Sequence, residues 1–187
     1  MDGETYLNRY VEGLKSNLDG IPREKFSEIA EALAKARDKG KRVYVMGNGG
    51  SASTASHMAC DLGKGAITPG KKRFKVVSLP DNTASLTAWA NDTSYDNVFS
   101  EQLDNLLEEG DLVIAISGSG NSPNILKALE LARKRKAKTI GLTGYDGGRM
   151  KQLCDICLIV PSDSMQKIED AHLIVEHALS TYINERS

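Results

Sequence analysis

Residues 43–62 read VYVMGNGGSASTASHMACDL, and this segment determines the predicted fold of the chain. The apolar run Val43–Met46 predicts a strand, the glycine-rich stretch Gly47–Gly50 predicts a tight turn, and a helix is expected to open at Ser51. Glycine lets the backbone approach a ligand closely, and the N–H groups at a helix N-terminus favour negative charge. The junction therefore predicts a phosphate site, with an ordinary strand-to-helix turn as the alternative. Two common nucleotide-binding motifs do not fit this segment. It lacks the third glycine of the dinucleotide-binding motif GxGxxG and the lysine of the P-loop.

Two turns into this helix, His57 and Asp61 stand four residues apart and are therefore expected on the same helix face. An imidazole and a carboxylate at this spacing can share a metal ion or a proton. A simple surface pair is the alternative interpretation.

The composition is that of an ordinary globular protein. The chain has 187 residues, of which 40% are hydrophobic and 26% charged, which predicts a single domain spanning residues 1–187. Its 24 basic and 25 acidic residues give a net charge of −1, so neither a nucleic-acid nor a membrane partner is expected. The N-terminus is polar and no apolar run approaches the ~20 residues of a membrane span, which predicts a cytoplasmic protein. The CxxC pair Cys154 and Cys157 is predicted to be two buried thiols rather than a redox pair.

Apolar runs alternate with helical patterns along the rest of the chain. Further strands are predicted over Phe74–Leu79, Leu112–Ile116, Thr139–Thr143 and Ile156–Val160. Helices are predicted over residues 82–91, 95–107, 123–135 and 165–183, and two more precede the first strand and stop at Gly20 and Gly40. Strands rich in Val, Ile and Leu predict an α/β fold, a three-layer doubly wound parallel sheet covered on both faces. The two N-terminal helices are expected to pack on this sheet or on a neighbouring subunit.

A second loop also connects a predicted strand to the start of a predicted helix. Residues 117–122 read SGSGNS directly after a predicted strand, and Pro123 stands at the first position of a new helix. Hydroxyl groups and backbone N–H groups at a helix start can both donate to phosphate oxygens. Because the carboxyl ends of parallel strands meet at one edge of a sheet, the two loops are expected to form one phosphate site.

The last predicted helix, Met165–Ile183, has a polar side that carries Glu169, His172, Glu176 and His177. A polar helix face with two histidines is usually a solvated or subunit-contacting surface, and a functional role is the alternative.

The chain resembles the phosphoheptose isomerases, members of the SIS (sugar isomerase) domain superfamily with a flavodoxin-like sheet. The similarity runs from about Tyr6 to the C-terminus through five motifs, which read in order GNGGSASTASH, ANDTSYDNVFSEQL, ISGSGNSPN, LTGYDGG and VPSDSMQKIEDAHLIVEH. The two phosphate loops alone indicate only a sugar-phosphate-binding SIS domain. The terminal AHxxxxH segment narrows the resemblance to the phosphoheptose isomerases.

The resemblance implies a homotetramer with sites at subunit interfaces that converts sedoheptulose 7-phosphate to an aldoheptose 7-phosphate. It implies one zinc ion per subunit, with Asp61 and His177 as base and acid. The ligands implied for zinc are His57, Asp61, Glu169 and His177. The residues implied in substrate binding are Asn48, Gly49, Gly50, Ser51, Asp92, Ser117, Gly118, Ser119, Ser122 and Glu169.

The chain departs from the family pattern at several of these positions. Asp61 stands where the family usually has Glu, Glu169 where it has Gln, and Gly118 where it has Thr. An arginine that helps to hold the phosphate has no match at Gly65, although Lys64 lies beside it. With Glu169 the metal site is expected to be more anionic, and with Asp61 the base has a side chain one methylene shorter. An isomerase for another sugar phosphate is therefore an alternative. A regulator that binds a sugar phosphate without converting it is a third hypothesis.

Spacing on the last helix leaves the ligand set open. Glu169 and His177 are eight residues apart, about 12 Å along the axis and about 80° around it. If they cannot reach one ion, the stripe formed by Glu169, His172 and Glu176 is an alternative set of ligands.

Overall fold

Five strands form one fully parallel sheet in the computed structural model, which describes residues 1–186. The strands are β1 (Arg42–Gly47), β2 (Lys75–Ser78), β3 (Leu112–Ser117), β4 (Lys138–Thr143) and β5 (Ile156–Ile159). Their spatial order is β2-β1-β3-β4-β5, with Tyr44 of β1 paired with Val77 on one side and Val113 on the other. The chain moves outward from β1 to β2 and then crosses over to β3, so the order reverses between β1 and β3. This arrangement confirms the predicted doubly wound sheet.

Eight α-helices surround the sheet within residues 1–186. They are α1 (Gly3–Asp19), α2 (Arg23–Lys39), α3 (Gly50–Cys60), α4 (Thr83–Asp92), α5 (Ser100–Leu106), α6 (Pro123–Lys134), α7 (Met150–Leu153) and α8 (Met165–Glu185). A π-helical turn, Asp61–Gly65, continues α3. Local sequence explains several of the ends: Gly40 closes α2 in the left-handed region with φ 69°, and the Asn82 side chain accepts a hydrogen bond from Ser85 N at the start of α4.

The core has two halves, one on each face of the sheet. Alternate residues of β1 point to opposite faces, with Val45 against α2, α3 and α8 and Met46 against α5 and α6. Side chains such as Leu33 and Leu129 are fully buried in these layers. Burial of a side chain of this size contributes about 1.5–3 kcal/mol, so both helix layers are held mainly by apolar contact.

The single helix predicted over residues 95–107 is wrong. The segment instead forms a 3-10 turn, Tyr95–Asn97, followed by α5. Val98 and Phe99 between them are both fully buried. Backbone hydrogen bonds from Asn97 N to Ser94 O and from Val98 N to Tyr95 O have the spacing of a 3-10 turn, which the Ser94 hydroxyl caps by accepting from Asp96 N, and α5 begins only at Ser100.

The first helix lies on the outside of this framework. None of its residues is buried, and Tyr6, Leu7 and Val11 are exposed. Its link to the domain includes the Tyr10 hydroxyl, which donates to the Asp170 carboxylate on α8 at 2.6 Å. Within the described part of the chain, every helix is too short or too polar to span a lipid bilayer.

Candidate active site and metal centre

The two predicted phosphate loops lie next to each other at one edge of the sheet. Gly47 at the end of β1 is paired with Ile116 of β3, so the loops that follow leave the sheet side by side. The strand order reverses between these two strands. In open parallel sheets this crevice at the carboxyl ends of the strands is the usual ligand site.

Two side-chain amides join these loops by a reciprocal pair of hydrogen bonds. Asn48 Nδ2 donates to Asn124 Oδ1 at 3.0 Å, and Asn124 Nδ2 donates to Asn48 Oδ1 at 2.9 Å. The Tyr95 hydroxyl donates to the same Asn48 oxygen at 3.0 Å. Both lone pairs of that oxygen are therefore engaged, and the second N–H of the Asn48 amide is the group that remains for a ligand.

The loop after β3 presents several hydroxyl groups in a tight turn. The Oγ atoms of Ser117 and Ser122 are 3.3 Å apart, and Ser119 Oγ accepts a hydrogen bond from Asn121 N at 3.2 Å. Gly120 has φ 64°, and a Cβ there would overlap the backbone of Gly147 in the loop after β4. Glycine is required at this position because the two loops touch, and the serines are thereby held at the start of α6.

The start of α3 contacts a carboxylate from α8. A Cβ at Gly50 would lie 2.5–2.7 Å from the three carboxylate atoms of Glu169, so only a glycine lets this side chain approach the first turn of α3. Gly49 before it has φ 56°, a conformation that favours glycine. The N-terminus of a helix favours a negative group, and the prediction of a phosphate site at the start of α3 rests on the same preference.

A cluster of titratable side chains lies at the other end of α3. The Nε2 atoms of His57 and His177 are 3.1 Å apart, and Asp61 Oδ2 lies 3.7 Å from the first and 3.9 Å from the second. Glu176 Oε2 lies 3.7 Å from His177 Nε2. One ligand atom from each of the four residues lies within 4.8 Å of all the others. Two imidazoles and two carboxylates at these separations suit a first-row divalent cation.

Glu176 supports this interpretation most directly. Its side chain is fully buried, and neither carboxylate oxygen has a hydrogen-bond partner. Burial, together with the Asp61 carboxylate, raises the pKa of Glu176 to about 7. A buried carboxylate without a donor is strongly unfavourable, and a cation between it and the histidines would satisfy it.

His172 lies outside the cluster. It is fully buried, and its Nε2 donates to the carbonyl oxygen of Thr143 at 3.2 Å. Burial lowers the pKa of His172 to about 4 and keeps the ring neutral near pH 7. The alternative stripe of Glu169, His172 and Glu176 is therefore not a set of ligands for one ion.

The structure brings together three of the four predicted metal ligands, His57, Asp61 and His177. Glu169 does not join them, because its carboxylate lies against Gly50, and Glu176 is found in the cluster instead. Among the predicted substrate-binding residues, those of the two loops lie at the edge of the sheet. Gly118 is buried there, and its carbonyl oxygen accepts a hydrogen bond from Gly144 N at 2.9 Å.

Asp92 is the exposed last residue of α4, and it accepts a hydrogen bond from the Asn91 side chain at 2.8 Å. It stands three residues before Tyr95, which is bonded to the first loop.

Three residues of this region were missed by sequence reasoning. Asn124 had a signal, since it follows Pro123 at the start of a helix that was already assigned to the phosphate site. Glu176 was considered only in the alternative stripe, although it directly precedes His177. Tyr95 gave no usable signal, because its segment was predicted to be an ordinary helix.

The chain also matches known proteins over most of its length. The family model described as SIS domain matches residues 7–144. A phosphoheptose isomerase from Aliarcobacter butzleri is 44% identical over 163 residues, which are 87% of this chain and 84% of that protein. One from Helicobacter pylori strain P12 is 40% identical over 170 residues, 91% of this chain and 88% of the other.

Solved structures agree with these relatives. Phosphoheptose isomerase GmhA from Neisseria gonorrhoeae superposes with a TM-score of 0.89 at 31% identity, covering 97% of this chain and 98% of that one. A phosphoheptose isomerase from Francisella tularensis gives 0.90 at 30% identity, covering 99% and 100%. The chain thus belongs to the phosphoheptose isomerase family of SIS-domain proteins and is a sugar-phosphate isomerase.

Proposed function

We propose that the chain converts sedoheptulose 7-phosphate to an aldoheptose 7-phosphate through an enediol. The observation that supports this best is the placement of two different sites at the two ends of α3. The glycine-rich loop at its start, with the serine-rich loop beside it, suits the phosphate, and the His57, Asp61 and His177 group at its end suits the reacting carbons. Binding energy from the remote phosphate would then orient the sugar for the chemical step.

The proposed reaction moves two protons and needs no oxidant. Asp61 takes the proton from C1 of the ketose and later returns it to C2. His177 supplies a proton to the oxygen on C2 and accepts the one that leaves the oxygen on C1. Asp61 has the exposure this task requires, because its side chain is 26% accessible to solvent.

We propose that the cluster binds one divalent cation, held by the two imidazoles and by carboxylate from the same group. Zinc is the ion that the family resemblance implies, and the donor set is compatible with it. A bound cation would stabilise the negative charge that develops on the sugar oxygens in the enediolate. The buried and unpartnered oxygens of Glu176 are the feature that favours a cation here.

The chain is further proposed to act as a cytoplasmic homotetramer with sites at subunit interfaces. The exposed apolar side chains of Tyr6, Leu7 and Val11 on α1 are the surface that favours association. Sedimentation equilibrium should then give four times the 20.3 kDa subunit mass. A monomer mass at micromolar concentration would contradict the proposed assembly.

Proton exchange followed by NMR tests the reaction. In D2O the wild-type protein should incorporate deuterium into sedoheptulose 7-phosphate and form the aldose. Replacing Asp61 by Asn should lower turnover at least about 100-fold while the far-UV circular dichroism spectrum is unchanged. Asp163→Asn, in an exposed loop, is the matched control and should retain full activity. Retained activity in Asp61→Asn would remove this residue from the mechanism.

An isomerase for a different sugar phosphate is the second candidate. It is favoured by Glu169, whose carboxylate lies against Gly50 at the start of α3, at a position where the resembled family usually has a neutral Gln. Comparing kcat/KM across five- to seven-carbon ketose phosphates separates the two candidates. Binding without conversion of any of these compounds would favour a non-catalytic regulator.

A further inference from the structure

A second concave surface lies at the edge of the sheet opposite the phosphate loops. It is a cleft of about 910 Å3, here called the amino-edge cleft, because the first residues of three strands, Leu112, Lys138 and Ile156, form part of its wall. The second half of α2 and the end of α8 complete it. Pockets for small molecules commonly measure about 300–1,000 Å3, so the cleft has room for a compact metabolite.

The amino-edge cleft is basic, although the chain as a whole is not. Seven basic and four acidic side chains line it, an excess of three positive charges in a chain whose net charge is −1. Lys35 and Lys39 are exposed one helical turn apart on α2, and neither takes part in an ion pair among the described residues. Like charges at this spacing repel each other, so an anion beside them would stabilise both.

Most of the acidic side chains of the cleft are already engaged. Asp155 Oδ2 accepts a hydrogen bond from Thr139 N at 2.8 Å and lies 3.7 Å from Lys138 Nζ. Glu28 pairs at 2.8 Å with Lys25, which is not part of the lining. These carboxylates are therefore not available to neutralise the exposed lysines.

Arg37 is the buried cation in the wall of the cleft. Its side chain is only 5% exposed, and its guanidinium carbon lies 5.7 Å from the centre of the Phe74 ring. Its Nε donates to Asp38 Oδ1 at 3.2 Å, whereas its Nη1 is buried with no hydrogen-bond partner. A buried donor without an acceptor is rare and costly. An anion in the cleft would supply the acceptor, and a guanidinium can form paired hydrogen bonds with phosphate oxygens.

We propose that the amino-edge cleft is a second anion site, which binds a small molecule with two or more phosphate groups. Arg37 binds a phosphate group, and Lys35 and Lys39 supply further positive charge. Two phosphate groups carry about three negative charges near neutral pH, which matches the excess among the lining residues. Inorganic polyphosphates and nucleotides share this chemistry. The site is distinct from the phosphate loops, and it does not depend on the reaction proposed above.

Isothermal titration calorimetry of metal-free protein at low salt, with pyrophosphate and with ADP as probes, tests the site. Arg37→Met keeps an apolar side chain against Phe74 but removes the guanidinium, and it should weaken binding of the probes at least about tenfold. Lys35→Gln combined with Lys39→Gln should have an effect in the same direction. This double variant changes only exposed side chains, so it still tests the site if Arg37→Met folds poorly.

A matched control removes the same charge elsewhere. Lys15→Gln combined with Lys134→Gln changes two exposed lysines that do not line the cleft, and it should bind the probes within about threefold of wild type. The phosphate loops can bind the same probes, and Asn48→Ala separates the two sites. This variant should lose any binding at the loops and keep the binding that Arg37→Met removes.

The two probes also identify the kind of ligand. Equal affinity for pyrophosphate and ADP would show that the phosphate groups alone are recognised, and tighter binding of ADP would show that the nucleoside is contacted as well. Absence of binding by wild type would overturn the proposal. Binding that is unchanged in both cleft variants, or lost in Asn48→Ala alone, would overturn it too, because the anion would then be held elsewhere.

Discussion

Replacing His172 by Gln should remove a large part of the acid sensitivity of the fold. The imidazole is fully buried and is held neutral, with its pKa lowered to about 4, whereas an unfolded chain titrates it near 6.5. Between these two values the unfolded state binds a proton that the folded state does not. The free energy of unfolding therefore decreases as the pH falls from about 6.5 to about 4.

The size of the effect follows from the shift. A difference of about 2.5 pKa units at about 1.36 kcal/mol per unit corresponds to about 3 kcal/mol of stability lost over this interval. This stability is fully present above pH 6.5. Glutamine has no titration in the range and can still donate one N–H to the carbonyl oxygen of Thr143, which His172 now contacts at 3.2 Å.

Urea unfolding of metal-free protein at a fixed protein concentration, at several pH values from 7.5 to 4.5, measures the difference. The other titrating groups are common to both proteins, so they cancel when His172→Gln is subtracted from wild type. We expect the Gln variant to be less stable at neutral pH and to lose less stability on acidification. Unfolding free energies that run parallel across the whole range would refute the reasoning.

Three further predictions concern single contacts. Gly50→Ala should raise the KM for the sugar phosphate at least about tenfold, because the new methyl group displaces the Glu169 carboxylate from the start of α3. Tyr95→Phe should raise KM roughly two- to tenfold by removing the hydrogen bond to Asn48, and steady-state kinetics should show that this effect vanishes when Asn48 is already Ala. Tyr10→Phe should lower the free energy of unfolding by about 1 kcal/mol, measured in urea, because the 2.6 Å bond to α8 is lost.

Each of these changes has a matched control elsewhere in the chain. Gly63→Ala meets only an ordinary 3.5 Å contact with Val76 and should leave KM unchanged. Tyr182→Phe and Tyr6→Phe remove hydroxyl groups from exposed rings and should leave KM and stability near wild type. Equal effects in a test variant and its control would show that the named contact is not responsible. Additive effects of Tyr95→Phe and Asn48→Ala would contradict the coupling through the Asn48 amide.

The phosphate loops could be predicted from sequence because local rules determine them. Glycines and serines between a strand and a helix specify a helix N-terminus that can bind an anion, and the parallel sheet brings two such loops together. The ends of β1 and β3 agree with the prediction to within one residue. The prediction placed both loops at the carboxyl edge of the sheet, and the pairing of β1 with β3 is what brings Ser117 near Asn48.

The roles of the two glutamates on α8 could not be predicted in the same way. Periodicity places both Glu169 and Glu176 on the polar side of that helix, but it does not say which part of α3 each one meets. The crossing of α3 and α8 decides this, and it depends on the packing of residues such as Ile168 and Val175. The contact of Tyr95 with Asn48 was also hidden, since helical periodicity does not distinguish the 3-10 turn Tyr95–Asn97 from the start of an α-helix.

The helix α3 gives the site a fixed length. From Gly50 to His57 the axial rise is about 10 Å, set by the hydrogen-bonded backbone and not by side-chain packing. Loops at either end can change their sequence without altering this distance. One inserted residue within the helix, however, would move His57 by about 1.5 Å and rotate it by about 100°, away from His177. Under the proposed function, the length of the substrate is therefore selected by a stretch of backbone whose side chains can change but whose number of residues cannot change without moving His57.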